Sequence, residues 1–131
     1  MSKNTGLICT SLIFPWSDNK NFYELAVYST KHKMLKAIEE FDTVSEDCQA
    51  CVISFKKPVK HCLGRIFFFK RSFDDTGIIA HESVHAGIQY CRVVKKLKNF
   101  DKIANEESLA YTIQNLYNLL VEIAIELQEK S

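Results

Sequence analysis

The sequence predicts an α+β fold: a small mixed sheet from the N-terminal half, packed on two helices of which the second is long. Three observations predict it. The first half carries short β-branched and aromatic runs bounded by turn residues. The second half carries apolar residues at steps of three and four. No repeat, biased segment or linker divides the chain, and 131 residues with 47% hydrophobic content suit one domain over residues 1–131. With 25% charged residues, 4 Gly and 2 Pro, the composition excludes disorder and collagen-like scaffolds.

Leu7–Phe14 and Phe22–Ser29 read as strands, separated by the turn-rich Pro15-Trp16-Ser17-Asp18-Asn19. His32–Phe41 places Met34, Leu35, Ile38 and Phe41 at helical spacing, which predicts a short amphipathic helix. Ala50–Phe55 is β-branched and alternates weakly, so it reads as a strand that Pro58 stops. Gly64–Lys70 is the strongest strand. Three adjacent Phe cannot share one face, so either both faces are covered or one lines a groove. Asp74 or Asp75 can cap a helix from about Gly77 to Leu97, with Arg92, Lys95, Lys96 and Lys98 at its C-terminal end, where cations suit the helix dipole. Asn99–Asn105 connects to a final helix from near Glu106 or Glu107. Its Leu109, Ile113, Leu116, Leu120, Ile123 and Leu127 form a continuous stripe, read as core or as a homodimer seam.

A net charge of +1 gives no general drive toward nucleic acid or anionic membrane. No apolar run approaches the roughly 18 residues needed to cross a bilayer. Lys3 followed by Leu7–Phe14 could pass for a secretion signal, but Cys9, Thr10 and Ser11 interrupt it and Pro15-Trp16 follows where small residues should be. An odd count of 5 cysteines without dense spacing points to a reducing compartment, hence the cytoplasm.

Residues 81–85 read His81-Glu82-Ser83-Val84-His85. On a helix, positions i and i+4 stand one turn apart on one face, so both imidazoles can converge on one metal ion. Glu82 projects beside that ion and is free to act as general base toward a water that zinc acidifies. Zinc suits two imidazoles and a carboxylate, although cobalt or manganese would fit as well. A hydrolytic site needs a third protein ligand, and Asn105-Glu106-Glu107-Ser108-Leu109-Ala110-Tyr111 opens the last helix about twenty residues downstream. An acid there also suits the helix dipole, but two adjacent Glu before an apolar run are more than the dipole requires.

A His-Glu-x-x-His motif followed by Glu on a second helix resembles the gluzincin metallopeptidases of the zincin fold. It is also similar to small gluzincin-like proteins of phages and bacteria, in which two Glu, two variable residues and Ala-Tyr open the last helix. The resemblance covers about residues 64–120 and is specific only in the motif. It implies a zinc-dependent hydrolase, most simply a peptidase, with His81, His85 and a downstream Glu as ligands and Glu82 as base. It also implies an edge strand beside the active-site helix that pairs with an extended peptide or protein substrate, a role given to Gly64–Lys70. Glu107 with Ala110 fits the family spacing. Glu106 is the alternate, lying nearer the apolar stripe. Four beyond Glu107, where related enzymes can place an acid that orients the first His, stands Tyr111; Tyr111, His61 and Tyr90 are the candidates for stabilising a transition state.

Cys48-x-x-Cys51 upstream of His61-Cys62 offers four soft donors, but adjacent strand residues point to opposite faces. Buried thiols are the simpler reading. The alternative to an enzyme is a zincin-like binding module with a structural or vestigial metal. A third reading has no metal and assembles through the final helix.

Overall fold

The computed structural model describes residues 5–17 and 19–130. Lys3 and Asp18, which entered the reading of the N-terminal segment and its turn, lie outside the described residues. Strands β1 (Leu7–Ile13) and β2 (Phe22–Tyr28) precede helix α1 (Lys31–Ile38). Then come β3 (Ala50–Val59), β4 (Cys62–Phe69), the one-turn α2 (Lys70–Phe73), α3 (Thr76–Val93) and α4 (Ile103–Glu129). The sheet is mixed, in the order β1-β2-β4-β3. The β1–β2 and β3–β4 pairs are antiparallel, and the central β2–β4 pair is parallel.

Alternation along the central strands divides the core in two. Tyr23, Leu25, Val27, Ile66 and Phe68 point toward α3 and α4. Ala26, Tyr28, Phe67 and Phe69 point toward α1, meeting Met34 and Ile38. The Phe run is thus covered on both faces, and each fully buried Phe contributes about 1.5–3 kcal/mol. This also corrects one expectation. The Gly64–Lys70 strand is interior, between β2 and β3, and the edge strand beside α3 is β3.

Pro58 does not stop β3, because an edge strand tolerates a residue without an N–H. The ladder bulges between Ser54 and Val59, and Lys60 and His61, both at positive φ, turn the chain into β4. Gly64 is obligatory here: its φ is +154°, and any Cβ would collide with the Ile53 carbonyl oxygen.

Asp75 caps α3, accepting from the backbone N–H of Gly77 at 2.9 Å and of Ile78 at 3.3 Å. α3 ends at Val93, four residues short of the expected Leu97, and α4 starts at Ile103, three residues before Glu106. Of the α4 stripe, Leu116 and Leu120 join the core together with Ala124, and Ile123 and Leu127 pack against it partly buried. Among the described residues no helix is long and apolar enough to cross a membrane.

Candidate metal and catalytic site

The rotation of α3 decides which way the His-Glu-x-x-His motif faces. Its apolar and small residues Ile79, Ser83, Ala86, Gly87, Tyr90 and Cys91 are buried. Tyr23 of β2 locks that orientation. Its hydroxyl oxygen lies 2.8 Å from Ala86 O and 2.5 Å from Gln89 Oε1, so its one proton serves two acceptors. The Gln89 amide in turn donates to Leu63 O at 3.1 Å. Burial pushes the Tyr23 phenol far up, so it stays a donor at any working pH.

With α3 so held, His81 and His85 emerge on the flank beside β3. Their Nε2 atoms are 3.2 Å apart, and the rings meet edge to face with centroids 4.8 Å apart. Glu82 lies beneath them, only 5% exposed, with Oε2 3.9 Å from His81 Nε2. Burial raises the Glu82 pKa, and the two imidazoles partly oppose the rise.

The three residues line a cleft of about 650 Å³ between α3 and β3. Ala50, Cys51, Val52 and Ser54 form its strand side; Gln89, Arg92 and Val93 continue its helix side. That volume falls within the range of ordinary ligand pockets. Sequence reading missed the strand side, since pairing order is not written in a strand's own residues. It could have found the helix side: Gln89 and Arg92 follow His85 by four and seven positions, on the same stripe.

The downstream acids are not brought to the histidines. α4 packs antiparallel on another flank of α3, where Gly87 faces Ile113, Cys91 Sγ is 3.5 Å from Thr112 Oγ1, and Lys95 donates to Ser108 Oγ at 3.0 Å. Glu106 and Glu107 therefore lie level with the end of α3, ten residues beyond His85, which is about 15 Å along the axis. His85 also lies about 160° around the helix from Gly87. Both acids are exposed, and Glu106 sits in the first turn of α4, where the dipole favours it. Among the described residues no three His, Cys, Asp or Glu side chains form a group that could hold a metal ion.

Tyr111 is 54% exposed on α4, Tyr90 is wholly inside the core, and His61 sits in the β3–β4 turn; none of the three lines the cleft. The soft-donor cluster does not assemble either. Cys62 pairs across from Val59 at the far end of β3, eight residues from Cys51. Cys48 donates to Ala50 O at 3.0 Å, and Cys51 packs with the α1 cluster.

Comparisons of this chain with protein-family models, curated proteins and solved structures give no match.

For the zinc that the resemblance implies, the fit is partial. Two nitrogens at the usual zinc distance of 2.0–2.1 Å, subtending a tetrahedral angle, stand about 3.3 Å apart. The His81–His85 separation of 3.2 Å matches that spacing, and it is equally the length of a hydrogen bond from one ring to the other. Among the described residues the carboxylate corner of a gluzincin site is not formed.

Proposed function

We propose that this chain is a zincin-like, zinc-dependent metallohydrolase, most simply a peptidase, with His81 and His85 as metal ligands and Glu82 as general base. The observation that carries the reading is the 3.2 Å separation of the two Nε2 atoms above a buried carboxylate. Zinc, when bound, supplies a Lewis acid that polarises a carbonyl and acidifies water. The remaining work belongs to the chain. The open edge of β3 offers N–H and C=O groups to an extended peptide, holding it along the cleft. Glu82 takes the proton of the attacking water at Oε2 and returns it to the leaving amine. Its raised pKa brings it closer to the operating pH, where such transfer is most effective. Gln89 and Tyr23 keep the motif facing β3 rather than the core.

The third ligand suggested by the family spacing, Glu107 with Glu106 as alternate, is remote from the histidines. That separation favours a second reading, a non-catalytic binding module built on the same cleft. Peptide cleavage by zinc-loaded protein separates the two. The enzyme reading requires turnover that a hydroxamate blocks and that Glu82→Gln reduces by at least about a hundredfold, with zinc content and fold unchanged. Full activity in Glu82→Gln contradicts the assignment of the base. Peptide binding with no turnover supports the module.

A further inference from the structure

Arg92 stands on the same stripe of α3 as the two histidines and lines the same cleft. It is exposed, and no described carboxylate lies within ion-pair distance of it. Its guanidinium carbon sits 5.7 Å from the centroid of the Phe100 ring. That is a cation–π distance, and no described group accepts a hydrogen bond from its N–H fork. That fork is complementary to a carboxylate, which it can hold through two parallel hydrogen bonds. A dipole role at the helix end would ask only for a cation, and Lys95 already lies in that region, over Trp16 at 4.0 Å.

We infer that Arg92 is a specificity residue that reads a carboxylate on an extended peptide bound in the cleft; this rests on the peptide-binding reading given above. The spacing follows from helix and strand geometry. Seven residues of helix separate Arg92 from His85, about 10 Å along the axis. An extended chain rises about 3.3 Å per residue, so the carboxylate lies about three residues from the carbonyl held at the histidines. An Asp or Glu side chain at that position, or a free C-terminus ending there, presents the same group. The ligand class is therefore an anionic peptide, not a generally apolar one.

The test uses the full chain carrying Glu82→Gln, zinc-loaded, so that binding is read without turnover. Fluorescein-labelled octapeptides are compared by anisotropy: one Glu moved stepwise along the peptide, the matching Gln peptides, and each with a free or amidated C-terminus. One Glu register, or the free C-terminus alone, should bind at least tenfold more tightly than its neutral counterpart, and which arm responds identifies the source of the carboxylate. Arg92→Gln should erase that preference while Lys98→Gln, at the same end of the molecule, retains it. Equal binding of charged and neutral peptides, or a preference that survives Arg92→Gln, overturns the role of Arg92 and leaves the peptide cleft standing. Absence of binding by every peptide overturns the cleft reading, and this inference with it.

Discussion

Gly87 of α3 lies so close to Ile113 of α4 that a Cβ added to the glycine would come within 2.6 Å of Ile113 Cγ1. This contact fixes how far α4 has slid along α3. It therefore sets Glu106 and Glu107 beside the end of α3 rather than beside its histidines.

Gly87→Ala should destabilise the fold despite the better helix propensity of alanine. Propensity contributes about 0.5–1 kcal/mol in favour. Overpacking against a β-branched side chain costs about 1–3 kcal/mol. The net loss should lower the melting temperature by a few degrees, read by circular dichroism. An unchanged or higher melting temperature would show that α4 moves freely on α3.

Zinc affinity should depend on the histidine pair and not on the downstream acids. Isothermal titration with zinc should show at least about tenfold weaker binding in His81→Ala. Glu106→Gln and Glu107→Gln should match the wild type. A loss in Glu107→Gln equal to that in His81→Ala would mean that α4 shifts along α3 when metal binds, completing the site expected from the spacing.

Glu82 should make the metal-free protein less stable as pH rises. Its carboxyl is held above the ordinary 4.5 by burial, against the lowering influence of His81 and His85. The folded state then binds this proton more tightly than the unfolded chain. Stability contributed by the neutral acid is present below 4.5 and is lost as pH climbs through the raised value. Glu82→Gln should accordingly gain on the wild type as pH rises above 4.5 in thermal melts made with a chelator present. A difference that stays constant with pH would exclude a buried titrating acid.

Cys51 should resist alkylation in the folded protein. Burial first, then the neighbouring Cys48 and Glu82, push its thiol up to about 11, so thiolate is scarce at pH 8. Iodoacetamide labelling followed by peptide mapping should modify Cys51 rapidly only after denaturation. Equal rates folded and unfolded would contradict its placement against the α1 cluster.

Much of the fold was legible because each signal was local. The step-of-four stripe from Leu109 to Leu127 gave α4, the cap at Asp75 gave the start of α3, and the Phe run gave β4. Sheet order was not legible. β4 has the residues of a strand covered on both sides, but nothing in Gly64–Lys70 says that β3 lies outside it. Pro58 misled for the same reason, since its effect depends on whether the missing N–H faces a neighbour or open solvent. The placing of His81, Glu82 and His85 side by side on one flank of α3 was legible through helical spacing. Glu106 and Glu107 were not, because their position depends on how two helices slide, which here turns on the fit between Gly87 and Ile113. Arg92 was legible as a charge on the stripe of the histidines, but its contact with Phe100 and the strand facing it were not.

The bulged outer half of β3 has a consequence for how copies of this chain meet. Pro58 lacks a donor, Lys56 and Lys57 carry like charges, and the ladder is broken from Ser54 to Val59. A second molecule trying to extend the sheet there would find neither continuous hydrogen bonding nor tolerable electrostatics. Only the Ala50–Ser54 half remains a usable template, and α3 overhangs it. The outer half of this border is thus closed to runaway stacking of whole proteins.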